Sequence, residues 1–190
     1  QAVKESVKGD HLKTFEALDK AGNYREVANK KSRHEAVRDE MPTTKLGDYK
    51  ESLLLVSTNA DRKQYNREIR DVFIQRGELE KGQKFEITSR SSDCEVQESR
   101  YFAQGDRIIF TSNDRQLEVK NGTMAQIEKI ENDIITARTD AGKEVVWDMR
   151  RYNDLDHAYA VTNYKAQGMT VQKVTIDMNT KGNNQQSRNA

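Results

Sequence analysis

The chain has one proline, one cysteine and three histidines in 190 residues, and these scarcities narrow its chemistry before any pattern is sought. Cys94 alone cannot close an internal disulfide, and His11, His34 and His157 lack the spacing of a structural zinc site, so metal binding is not expected. No apolar run approaches the roughly 18 to 20 residues of a membrane span. Gln1 to Glu5 show neither the basic nor the apolar region of a signal peptide. The expectation is a cytoplasmic polypeptide without membrane insertion, and the initial Gln suggests a piece cut from a longer one. Charge of one sign is also missing: the formal net charge is +1, which gives no global attraction to nucleic acid. Charge is unevenly spread, however. Residues 160–190 carry Lys165, Lys173, Lys181 and Arg188 against Asp177 alone, so phosphate contacts are expected from the C-terminal part.

What is present is a mixed pattern. A third of the residues are charged, and the mean hydropathy is −0.98. Leu12, Phe15 and Leu18, then Val27, His34, Val37 and Met41, predict two amphipathic helices in a segment covering residues 1–50. The continuous run Leu53 to Val56 predicts a strand buried on both faces of a parallel sheet. Ser57, Thr58, Asn59 and Asp61 follow as capping oxygens, and Tyr65, Ile69, Val72 and Phe73 mark a helix that Gly77 stops.

From about residue 82 to 152 the pattern becomes short strands with turns. Phe85 and Ile87, Ile108 and Phe110, Met124 and Ile127, Ile134 and Ile135, and Val145 and Trp147 predict a small β-barrel. Tyr101 and Trp147 are expected in its core, Asn121-Gly122 in a type I′ turn, and Ser89 to Ser99 in a mobile loop. Asp156 reads as the N-cap of a helix running through Ala158, Val161, Thr162 and Lys165 to Gly168. A strand at Val174, Ile176 and Met178 and a disordered tail over 179–190 complete the pattern.

Phosphate-cleaving chemistry has no sequence basis here. A P-loop needs Gly, four residues, Gly-Lys and Ser or Thr, so that backbone N–H groups and the Lys cradle the phosphates while the hydroxyl holds magnesium. No such string occurs: Glu144 follows Gly142-Lys143, and Asp39-Glu40 falls on a predicted helix instead of ending an apolar strand. The fragment is therefore not expected to be an enzyme or to bind a cofactor.

Three segments carry a resemblance. HAYAVTNYKAQGMT, His157 to Thr170, resembles motif V of RecD-like superfamily 1 helicases. GDRIIFTSNDRQLEVKNGTMAQIEKI, Gly105 to Ile130, is similar to the SH3-like 2B insertion that precedes that motif. LLLVSTNADRKQYNREIR, Leu53 to Arg70, is similar to the motif IV strand and helix. Their order resembles the TraI-type conjugative relaxase-helicases of the MobF family. The resemblance implies an α/β fold, with an incomplete RecA-like second lobe (2A) over residues 51–80 and 155–178. A small SH3-like β-module (2B-like) would interrupt it over 82–152. Relaxase chemistry, ATP and magnesium would then belong to other parts of the parent protein.

On that resemblance Thr162, Lys165, Gln167 and Gly168 occupy positions where the family contacts single-stranded DNA. Tyr164 stands where the family usually has His, and Ala166 where it often has Ser. These departures argue against coupling to hydrolysis and leave an aromatic face for base stacking. The Thr58-Asn59 turn, beyond the carboxyl end of a buried strand, is a further candidate for a DNA phosphate, although helix capping alone would select the same residues. The implied role is passive binding of single-stranded DNA and recruitment in plasmid transfer, with the other parent domains and conjugative coupling or secretion proteins as partners. Two alternatives stay open: the second lobe of an active helicase whose P-loop lobe lies outside this sequence, and a module that docks the secretion machinery through its small barrel.

Overall fold

A computed structural model describes residues 11–23, 25–40, 45–90, 95–162, 166 and 171–177. The chain divides into two compact units, Gln1–Ala36 and Val37–Ala190. The first holds helix α1 (His11–Lys20) and most of α2 (Lys30–Glu40), as the apolar spacing predicts. Gly22, at φ 68°, ends α1, with the Asn23 N–H returning to the Leu18 carbonyl at 2.9 Å. Asn29 starts α2 by accepting the Ser32 N–H at 3.0 Å.

The second unit is built on a short parallel sheet. Strand β1 (Ser52–Val56) follows a 3-10 turn at Leu46–Glu51 and leads into α3 (Asn59–Gln75). Its neighbours come from the far end of the chain: β9 (Ala160–Thr162) on one side and β10 (Lys173–Asp177) on the other, both parallel to it. Leu54 and Val56 lie in one apolar cluster with Tyr65, Ile69 and Phe73 of α3, whereas Leu53 and the half-buried Leu55 lie in another with Ile109, Met124 and Val161. This two-sided burial is why β1 reads as an unbroken apolar run. Val174 and Ile176, which pair with Leu53 and Leu55, remain 47% and 58% exposed.

Helix α3 is closed at both ends by local chemistry. Thr58 caps it, its hydroxyl oxygen accepting the Asp61 N–H at 3.0 Å. Gly77, at φ 71°, lets the Glu78 N–H reach the Phe73 carbonyl while its own N–H reaches that of Ile74, both at 3.0 Å. That is the Schellman arrangement.

Between α3 and β9 lie the predicted strands. Hairpin β2 (Gln83–Arg90) and β3 (Glu95–Phe102) pairs with itself. The five-stranded antiparallel sheet runs in the order β7 (Glu144–Asp148), β6 (Ile134–Thr139), β5 (Met124–Glu131), β4 (Arg107–Phe110), β8 (Leu155–His157). Both enclose one core that includes Phe85, Phe102, Phe110, Ile127 and Trp147.

Four expectations are corrected. The segment from Asp156 is not a helix in its described part: Leu155 and His157 pair with Phe110 and Ile108, so β8 joins the five-stranded sheet and only β9 joins the parallel one. Ser89 to Ser99 is largely strand, because its polar residues find cross-strand partners in place of apolar burial. Gln97 donates to Thr88 at 3.0 Å and Ser99 to Glu86 at 2.6 Å. Tyr101 points outward from β3 and is 38% exposed, whereas Trp147 is buried as expected. The Asn121-Gly122 turn is not type I′, since only Gly122 has positive φ (95°) while the Thr123 N–H bonds the Lys120 carbonyl at 2.9 Å. Residues 91–94 of the expected loop, Met178 and the tail over 179–190 lie outside the described residues.

Gly82, between α3 and β2, sits at φ 76°, and a Cβ added there would lie 2.0 Å from the Phe102 carbonyl oxygen. Gly82→Ala is therefore expected to cost at least about 2 kcal/mol through combined strain and displacement of β3. The matched control Gly122→Ala, with positive φ but nothing within 4 Å, should cost about 1 kcal/mol. Chemical denaturation of both variants measures the difference, and equal losses would show that close packing at Gly82 is unimportant.

Candidate nucleic-acid interface

The carboxyl ends of β1 and β9 lie side by side. Val56 pairs with Thr162, and the chain leaves Val56 through Ser57 into Thr58 and Asn59. Three of the candidate residues, Thr58, Asn59 and Thr162, thus gather at one edge of the parallel sheet, with adjacent strands roughly 4.8 Å apart. Tyr164, Lys165, Gln167 and Gly168 lie outside the described residues.

At this edge the described polar groups are hydroxyls, an amide and carboxylates, most of them bonded to one another. Thr58 is exposed, and besides accepting the Asp61 N–H its hydroxyl donates to Asp61 Oδ2 at 2.8 Å. Asn59, also exposed, accepts from Arg62 Nε at 3.4 Å. The Tyr65 hydroxyl donates to Asp177 Oδ2 at 2.7 Å, and the Ser57 hydroxyl to the Asp177 carbonyl at 3.5 Å. The positive end of the α3 dipole and its first N–H groups face the same edge, an arrangement suited to a phosphate oxygen. Arg62 adds no free cation, because it is buried and bonded to Asp156 at 2.8 Å.

Side chains that sequence reasoning missed hold the edge in place. Buried Asn66 accepts the Tyr159 and Ala160 N–H groups at 2.8 and 2.9 Å and donates to the Ala160 carbonyl at 3.2 Å, clamping β9 to α3. Asp156, read as a helix cap, is instead a buried partner of Arg62 and of Arg100 at 3.5 Å. Burial pushes its carboxyl up, but the guanidinium charges of Arg62 and Arg100 outweigh that and hold it below the usual carboxylate range. On β3, Glu98 binds Lys63 at 2.5 Å and also Arg100, contacts that hold its carboxyl down to about 2.

The deepest polar cluster surrounds Asp106, which is fully buried. Arg70 of α3 grips both its oxygens through Nε at 2.9 and 3.1 Å and through Nη2 at 2.9 Å. The Ala103 N–H and the Tyr159 hydroxyl donate to it at 2.7 and 2.6 Å. Burial, with Asp106 beside it, pushes the Tyr159 phenol well above its usual range. Burial also lowers the pKa of His157, outweighing Asp106 at 4.0 Å and Asp156. His157 is therefore neutral, and since Nε2 meets the Tyr101 carbonyl at 3.0 Å, its proton lies on Nε2. No local pattern announces this cluster, because the side-chain partners of Asp106 lie 36 and 53 residues away.

The fold defines the class: an α/β domain built as an incomplete RecA-like lobe with an inserted β-module. Similar in fold is the crystal structure of Pif1 helicase from Bacteroides in complex with ADP-AlF3 and ssDNA. It has a TM-score of 0.52 and 16% identity over 78% of this chain and 43% of that one. In sequence the chain is similar to conjugal transfer proteins TraA. It is 35% identical over 130 residues to that of Agrobacterium fabrum (strain C58 / ATCC 33970) and 32% identical over 130 residues to the probable TraA of Sinorhizobium fredii (strain NBRC 101917 / NGR234). Each alignment covers 67% of this chain and 11% of the relative, so the chain spans about a tenth of the length of these proteins. No protein-family model matches it.

Removing the Asp106 carboxylate should leave the Arg70 guanidinium buried without its counter-charge. Asp106→Ala is expected to cost about 3–5 kcal/mol, whereas Asp106→Ala with Arg70→Met should recover much of that loss. Urea unfolding of the single and double variants checks this. A double variant as unstable as the single one would show that the pair is not the main term.

Proposed function

We propose that the chain is a non-catalytic, single-stranded-DNA-binding region of a conjugative relaxase-helicase of the TraI type, a vestigial RecD-like second lobe that helps recruit the parent protein in plasmid transfer. The observation that carries this reading is the gathering of Thr58, Asn59 and Thr162 at the carboxyl edge of a helicase-like parallel sheet, in a sequence with no P-loop. Hydroxyl, amide and helix N-terminal donors bind phosphate oxygens without doing chemistry on them. The similarity to TraA proteins supports the conjugative setting, and the ssDNA bound in the Pif1 complex supports the ligand class. Tyr164 and Lys165 lie two and three residues after Thr162 and would add a base-stacking face and a cation.

Fluorescence anisotropy with labelled oligonucleotides should show preference for single-stranded over duplex DNA, with a shallow salt slope of about −0.7 for each phosphate neutralised. Lys165→Ala should flatten that slope by somewhat less than one unit. Tyr164→Ala should cost about 1–3 kcal/mol with little change of slope. In the same preparation, calorimetry with Mg-ATP should show no saturable binding tighter than about 100 µM. Preference for duplex DNA would overturn the ligand class, and tight Mg-ATP binding would favour the second lobe of an active motor.

A further inference from the structure

Hairpin β2–β3 carries an outward-facing aromatic and cations that the reading above does not use. Tyr101 is 38% exposed, and Lys81 Nζ lies 4.9 Å from its ring centroid. Lys84 is the direct cross-strand partner of Tyr101, so the two side chains share a face. Lys84 touches Glu86 only loosely, at 3.9 Å, with both side chains more than half exposed.

The main chain beneath this pair is firmly held. Arg70, already fixed by Asp106, donates to the Lys81 and Glu80 carbonyls at 2.9 and 3.3 Å. The Tyr101 carbonyl is bound by His157, and its neighbour Phe102 is completely buried. Gly82 brings the two strands within a distance that admits no Cβ. A cation and an aromatic ring are thus presented to solvent from backbone anchored in the core, which lowers the ordering cost of any ligand they meet.

We propose that Tyr101, flanked by Lys81 and Lys84, is a stacking platform for an unpaired base of single-stranded DNA, the lysines receiving the adjoining phosphates. This rests on the single-stranded-DNA reading and adds to it a second contact, on the β-module. Every base offers a π-face, so the platform is tolerant of sequence, while duplex DNA offers no free face to it. A site for polyanions in general, such as an acidic peptide, would need the lysines but not the ring.

The test is anisotropy on the full 190-residue chain with a labelled oligothymidylate and its abasic counterpart, which keeps the phosphates and lacks the bases. Tyr101→Ala should weaken oligothymidylate binding by about 5- to 100-fold, leaving abasic binding unchanged, and Tyr101→Phe should retain wild-type affinity. Lys81→Ala and Lys84→Ala should each reduce the salt slope by up to about 0.7. Tyr101→Leu, which keeps the apolar cover of the strand but not the ring, repeats the test should the Ala variant melt at a lower temperature. Unchanged binding in the Tyr101 variants, with a loss in Tyr164→Ala, overturns the platform and leaves the general reading standing. Equal losses on both oligonucleotides in Tyr101→Ala overturn stacking, and unchanged binding of both in the Tyr101 variants with losses on both in the lysine variants overturns it in favour of a polyanion site. Failure of the wild-type chain to bind either oligonucleotide overturns both readings.

Discussion

A carboxylate removed from water must be answered by fixed donors, and the geometry of this protein follows from how Asp106 is answered. Arg70 approaches from the helix after β1, Ala103 from the backbone entering the five-stranded sheet, and Tyr159 from the residue before β9. Three segments distant in sequence meet on one side chain. The cluster has no close substitute, because an unpaired charge at such a site costs several kcal/mol whereas a satisfied one holds its partners in a single arrangement. Tyr159 also accepts the Tyr49 hydroxyl on its carbonyl at 3.0 Å and packs edge-on against that ring, so the 3-10 turn before β1 is drawn into the same assembly.

Rigidity at this junction separates two kinds of surface. At the carboxyl edge of the parallel sheet the polar groups are neutral or already paired, so their contribution to nucleic-acid binding would be directional more than electrostatic. On the hairpin the lysines are less committed and an aromatic ring stands open. A chain with a formal net charge of +1 has no general field with which to attract DNA, so under the proposed function selectivity would come from shape and from free base faces.

Much of the fold was legible from local pattern. The apolar run at Leu53 to Val56 and the spacing of Tyr65, Ile69 and Phe73 identify β1 and α3, because burial on two faces and on one stripe leaves different traces. The strands of the β-module were equally visible, since Phe110, Ile127 and Trp147 fill one core from alternating positions. The segment after Asp156 was misread for a physical reason: short apolar runs satisfy helical and extended spacing alike, and an Asp with unseen partners looks like a cap. What fixes it as strand is its pairing with β4, with Arg62, 94 residues away, taking the Asp156 carboxylate. Tyr101 and Phe102 show the same limit. Only one of two neighbouring aromatics in a strand can face the core, and which one depends on a register set by Gly82 and β2. Of the candidate site, the gathering of Thr58 and Thr162 was implied only through resemblance, because strand order is not a local property.

Strand order has a further consequence, for the time course of folding. The β-module is continuous in sequence and can close on itself, but β1 must wait for both its neighbours, with Tyr65 meeting Asp177 across 112 residues. At roughly 5–20 residues per second of synthesis, an intervening stretch of this size leaves β1 without its sheet for about 5–20 seconds. During that interval Leu53, Leu54 and Val56 are an apolar strand with both edges open, the situation in which chaperone capture competes with productive pairing. The closing step is the arrival of β9 and β10 on either side of a strand made long before them, which makes this lobe slow to complete however quickly its inserted module forms.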